Sequence, residues 1–126
     1  MSITLQERIA AANAQVPRVA GDEARRLVAE EDAVLVDVRD PNEVAASGRL
    51  QGALAVSRGM LEFCADPDSS YHDAALRRDR PVVLYCAAGG RAALAGQTLL
   101  EMGFSRVYNL GGFADARDAG LATEPA

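Results

Sequence analysis

The stretch Pro81-Val82-Val83-Leu84-Tyr85-Cys86-Ala87-Ala88-Gly89-Gly90-Arg91 decides how this chain is read. Pro81 to Cys86 is a short, unbroken apolar run, the pattern of a strand covered on both faces in a parallel sheet. Gly89 and Gly90 interrupt it. Arg91 to Met102, rich in Ala and Leu, then predicts a helix with Gly103 as its left-handed cap. A buried strand, a glycine turn and a helix in immediate succession are the repeating unit of an α/β layer structure.

The same alternation extends in both directions. Ala33-Val34-Leu35-Val36-Asp37-Val38 is a second buried strand, and Asp40-Pro41-Asn42-Glu43 starts a short helix that ends near Gly48, with Asp as N-cap, Pro first and Glu third. Gly21 and Asp22 begin a helix through Glu30, with Ala24, Leu27 and Val28 on its inner side. Ala53 to Val56 is a weaker strand, and Arg58 to Ala65 has helical spacing through Met60, Leu61 and Cys64. Asp66 to Ser70 is loop, Asp73 to Arg78 is a further helical turn or two, and Arg106 to Leu110 is the last strand. A short helix near Phe113 to Ala119 follows Gly111-Gly112, and Glu124 to Ala126 is expected to fray. At the other end, Thr4-Leu5-Gln6-Glu7 is a capping box for a helix carrying Leu5, Ile9 and Ala12, which Pro17 stops. Val16 to Ala20 can form an edge strand. The expectation is an α/β fold: a central, mainly parallel sheet of about five strands flanked by helices. Residues 1–16 form a helical extension packed on a domain spanning 17–126.

Composition narrows the function. The 126 residues suit one domain, of a size that hides about two-thirds of its unfolded surface without disulfide staples. All 13 basic residues are Arg, against 18 acidic ones, for a net charge of −5. That disfavours a nucleic-acid partner, whose phosphates need a basic face, while leaving room for a local Arg pocket for a small anion. No apolar run approaches the ~18 residues of a membrane span. Two cysteines, Cys64 and Cys86, are too few for a disulfide framework, and no signal peptide stands at the start, so the expected setting is reducing and cytoplasmic.

Cys86 carries the chemistry. It stands at the carboxyl end of a strand, where ligands sit in open α/β sheets. The Gly pair lets the backbone curl so that successive N–H groups point inward, an anion cradle at the start of the following helix, to which Arg91 adds a positive charge. Free Cys titrates near ~8.5, and a helix N-terminus or a nearby Arg lowers it, so this placement favours the thiolate. Two chemistries fit a thiolate in an anion cradle: uptake of sulfane sulfur as a persulfide, or attack on phosphorus or arsenic in an oxyanion. The one histidine, His72, falls in the loop-like stretch and reads as a surface residue rather than a catalytic base. Cys64 reads as a packing residue, and Asp37 with Arg39 as a structural ion pair.

These segments resemble the rhodanese family. Leu35-Val36-Asp37-Val38-Arg39-Asp40-Pro41-Asn42-Glu43 looks like its Asp-x-Arg segment, and Gly48-Arg49-Leu50-Gln51-Gly52-Ala53 is similar to its Gly-His-Ile-Pro-Gly-Ala stretch. Val83 to Arg91 resembles the active-site strand and loop, and Leu110-Gly111-Gly112-Phe113 the terminal Gly-Gly turn. The likeness runs from about Pro17 to Leu121 in the family's order. It implies a three-layer rhodanese-like domain and a persulfide on Cys86, cradled by Ala87, Ala88, Gly89 and Gly90. It places Arg58 near the pocket mouth, either steering anions or solvated. It implies no metal and no organic cofactor. Its partners would be a small sulfur donor such as thiosulfate or polysulfide, a thiol or cyanide acceptor, and a protein as a further acceptor. Four residues separate Cys86 from Arg91, as in sulfurtransferase members, whereas related phosphatases and arsenate reductases use a loop one residue longer. Arg49 and Gln51 replace the family's His and Pro, Ala116 stands where Trp is common, and Ala88 and Ala92 replace hydroxyl residues. The hydroxyl-free loop motivates a second reading, a persulfide carrier for a dedicated partner, and a third, an arsenate reductase or phosphatase, is disfavoured by the loop length.

Overall fold

A computed structural model describes all 126 residues. In chain order its elements are α1 (Leu5–Gln15), α2 (Gly21–Glu31), β1 (Val34–Asp37), α3 (Pro41–Ser47), β2 (Arg49–Leu50), β3 (Leu54–Ala55), a 3-10 turn (Arg58–Met60) and α4 (Leu61–Ala65). β4 (Val82–Cys86), α5 (Gly90–Glu101), β5 (Val107–Gly112), α6 (Phe113–Asp118) and β6 (Thr123–Glu124) complete the chain. The two apolar runs become β1 and β4, side by side and parallel at the centre of a sheet ordered β3-β1-β4-β5. All three pairings in that sheet are parallel. The segment after α1 adds one residue pair outside β5: Arg18 bridges Asn109, Val19 N–H donates to the Asn109 carbonyl at 3.0 Å, and Asn109 N–H donates to Pro17 at 2.8 Å. The expected edge strand therefore exists as a single bridge beside four full strands.

Alternation along the buried strands sorts the core into two faces. Val34, Val36, Val38, Val82, Leu84 and Cys86 point to the side that holds Leu61, Ala92, Ala95 and Leu99 of α4 and α5. Leu35, Val83 and Tyr85 point to the other side, against Ala24 and Leu27 of α2 and Phe113 and Ala116 of α6. A helix, sheet, helix sandwich follows, since each fully buried Val or Leu contributes about 1.5–3 kcal/mol only if something covers it. α1 lies along α5. The contact needs Gly96, where a Cβ would fall 2.8 Å from both methyls of Val16.

Four local expectations are corrected. Val28 is 43% exposed because the inner stripe of α2 is carried by Gly21, Ala24 and Leu27, leaving it on the outer flank. Asp73 to Arg78 is a turn, not a helix: the Asp73 carboxylate accepts the Ala75 N–H at 2.9 Å and holds the chain so that Leu76 is buried. β3 is two residues long rather than four. Glu124 is paired, not frayed: β6 runs antiparallel to β2, and the Glu124 carboxylate accepts from Arg49 Nε at 3.2 Å and Gly52 N–H at 3.1 Å. No helix is long and apolar enough to cross a membrane.

Candidate active site

β4 delivers Cys86 to the carboxyl edge of the sheet, opposite Gly112 of β5. The next residues climb away from the sheet, leaving Ala87 and Ala88 exposed, and then return. Gly89 makes the return with φ +106°, a left-handed conformation that suits glycine. Its N–H thereby points back and donates to Cys86 Sγ at 3.0 Å. α5 begins at the next residue, so the sulfur sits under the amino end of a twelve-residue helix. Cys86 is 1% exposed and packs with the α5 side of the core.

β5 holds this turn in place. Asn109 is completely buried; its Nδ2 donates to the Gly89 carbonyl at 3.0 Å and its Oδ1 accepts the Gly111 N–H at 2.8 Å. One side chain thus locks the loop to the strand beside it. Gly112 has no room for a Cβ, which would collide with the Ala87 carbonyl. Asn109 was not among the residues singled out from the sequence, although a lone amide within Val107-Tyr108-Asn109-Leu110 was the available signal.

Arg91 makes no hydrogen bond to Cys86 Sγ, although Cys86 is among its electrostatic neighbours. Its Nη1 and Nη2 donate to Glu43 Oε1 and Oε2 at 2.6 and 3.0 Å, a bidentate pair that ties α5 to α3. Glu43 also accepts the Asp40 N–H at 3.0 Å, so one carboxylate caps α3 and anchors the loop's last residue. Arg58 is likewise engaged, donating to Glu62 at 2.9 Å and to Thr98 Oγ1 at 3.0 Å. Gly90 lies half-buried beside Ile9 of α1, whose Cδ1 would be 3.4 Å from a Cβ there. Cys64 is partly buried against the core, and burial pushes its thiol up from the usual range. His72 places Nδ1 3.0 Å from the Cys64 carbonyl, which makes it a fastener of the loop after α4.

The family model for the rhodanese-like domain matches residues 20–119. The chain belongs to the rhodanese family. A sulfurtransferase of Allochromatium vinosum is 34% identical over 89 residues, covering 71% of this chain and 75% of that protein. Among solved structures, a Rhodopseudomonas palustris protein of unknown function, designated a possible tyrosine phosphatase, superposes with a TM-score of 0.88 at 35% identity, covering 98% of this chain and 96% of that one. The polysulfide-sulfur transferase homodimer of Wolinella succinogenes gives a TM-score of 0.76 at 34% identity, covering 96% of this chain and 87% of its own. The three-layer rhodanese architecture with a mainly parallel sheet is thus a family property that the four-stranded sheet here reproduces.

In this rhodanese the Arg91–Glu43 pair leaves a pH signature. Arg91, then the Asp40 N–H, hold the Glu43 carboxyl down at about 2, against an ordinary 4.5. The native state therefore binds fewer protons than the unfolded chain between those values, and the pair's stabilisation, complete above about 4.5, is lost as pH falls through about 2. Both side chains are about one-third exposed, so the pair contributes only about 1 kcal/mol. Denaturant unfolding of wild type and Glu43→Gln is expected to differ by that amount at pH 7, with the gap closing between pH 4.5 and 2.

Proposed function

We propose that this rhodanese transfers sulfane sulfur through a persulfide on Cys86. The observation that carries the reading is the Gly89 N–H on Cys86 Sγ at 3.0 Å, within a loop of four residues between Cys86 and Arg91. A backbone donor fixed on that sulfur stabilises negative charge there before, during and after it gains a second sulfur, without a proton transfer and without a base. In the first half-reaction the Cys86 thiolate attacks the outer sulfur of thiosulfate. A Cys86 S–S bond forms, the donor's S–S bond breaks, and sulfite leaves with the bonding pair. In the second, cyanide or an acceptor thiolate attacks the terminal persulfide sulfur, and Cys86 departs as thiolate. The loop amides and the amino end of α5 serve the charge directly; Arg91, paired with Glu43, supports the loop's shape.

A carrier that takes its sulfur from one dedicated protein partner is the second reading. It is favoured by the 1% exposure of Cys86 and by Ala88 and Ala92, which offer a donor no hydroxyl. Intact-mass spectrometry after incubation with thiosulfate or polysulfide tests the proposal. The expected result is a gain of one sulfur, mapped to Cys86 and discharged by cyanide. Loading by polysulfide or a protein persulfide but not by thiosulfate would select the carrier reading. No loading from any donor, together with Cys86-dependent hydrolysis of an aryl phosphate, would overturn both in favour of phosphatase chemistry.

A further inference from the structure

The two arginines nominated from the sequence each have a carboxylate partner: Arg91 holds Glu43 and Arg58 holds Glu62. A third arginine lies against the loop and has none. Arg18 starts beside Asn109 in the one-residue bridge that edges β5, and its side chain runs towards the carboxyl end of that strand. The guanidinium lies on Gly111, where a Cβ would be 2.5 Å from Nη2 and 3.3 Å from Cζ, and reaches Gly89, where a Cβ would be 3.4 Å from Nη1. Both glycines have positive φ, at +99° and +106°, so the surface under the guanidinium is bare backbone. Gly89 is the residue whose N–H is bonded to Cys86 Sγ at 3.0 Å. Across one residue's breadth, Arg18 Nη1 is therefore within about 9 Å of the sulfur, roughly one Debye length at physiological salt.

Resting on the sulfur-transfer reading, we propose that Arg18 recruits the anionic sulfur donor to the Cys86 loop. The chain has a net charge of −5 and would repel thiosulfate or polysulfide at long range. Arg18 is exposed, has no carboxylate against it, and lies against Gly111 and Gly89 beside the loop. It lies two residues before the stretch matched by the rhodanese model, which begins at residue 20. Arg18 would act on donor capture, not on the bond exchange at sulfur.

Steady-state thiosulfate:cyanide kinetics on the full chain, at several ionic strengths, test this. Arg18→Ala is expected to lower kcat/KM for thiosulfate roughly tenfold at low salt, through KM, with kcat unchanged. The deficit should shrink as salt rises, and Arg18→Lys should retain most of the wild-type value. A structural role would lower kcat, persist at high salt and resist rescue by Lys. Any of those results, or an unchanged KM in Arg18→Ala, overturns the assignment. Wild-type protein that takes no sulfur onto Cys86 defeats the sulfur-transfer reading itself, and that outcome is read separately by mass.

Discussion

Cys86→Ser is expected to abolish sulfur transfer, by at least roughly three orders of magnitude in kcat/KM, while the fold persists. A serine hydroxyl at the end of β4 can still accept the Gly89 N–H that now reaches Sγ, so the loop keeps its anchor. Burying a hydroxyl with that one partner costs about 1–2 kcal/mol, which a domain of this size tolerates. The chemistry has no such tolerance. An alkoxide is not formed at neutral pH, and oxygen cannot hold the transferred sulfur as a persulfide. Cys64→Ser is the matched control: Cys64 is partly buried, burial pushes its thiol up, and it is expected to leave turnover unchanged. Thiosulfate:cyanide turnover measured beside thermal unfolding by circular dichroism separates the two effects. Turnover by Cys86→Ser within tenfold of wild type would remove Cys86 from the reaction.

The fold was legible because its decisive residues act locally. Ala33 to Val38, apart from Asp37, and Pro81 to Cys86 are apolar, the pattern of a strand covered on both faces, and Gly89 and Gly90 mark where the chain must turn. The elements misread were those whose state depends on distant partners. Val28 fits the helical stripe of α2 as well as Leu27 does, and only the position of α6 and the sheet decides which is covered. Glu124 reads as a loose tail until β2 is seen beside it, at a separation of some 75 residues. The site shows the same division. Cys86 and the glycines were visible because their spacing is chemical grammar. The Glu43 partner of Arg91 and the Asn109 fastener of Gly89 were not, because they approach from other elements. The Arg91 charge next to the loop is legible from its place five residues after Cys86, whereas its pairing with Glu43 depends on where α3 lies.

Arg39→Met is expected to destabilise the protein by about 3–5 kcal/mol, the largest single effect on folding. Asp37 ends β1 with no exposed surface, and Arg39 beside it is 5% exposed. The carboxylate accepts Arg39 Nε at 3.0 Å, Nη2 at 2.7 Å and the Arg39 backbone N–H at 3.0 Å. The guanidinium also donates to Ser47 Oγ and the Gly48 carbonyl, both at 2.8 Å, and its Cζ lies 4.4 Å from the Phe113 ring centroid. It therefore clamps the carboxyl end of β1 to the end of α3 and to α6. The hydrogen bonds to Asp37 further raise the tendency of Arg39 to stay charged. Removing the cation alone strands a buried carboxylate, the costly case, whereas removing both charges does not. The double variant Asp37→Leu/Arg39→Met is thus expected to recover most of the stability lost in Arg39→Met, but not the clamp on Ser47 and Gly48. Urea unfolding of the three proteins gives the interaction energy as a double-mutant cycle. A loss below about 1 kcal/mol for Arg39→Met would mean that the pair is solvated and that the clamp holds nothing.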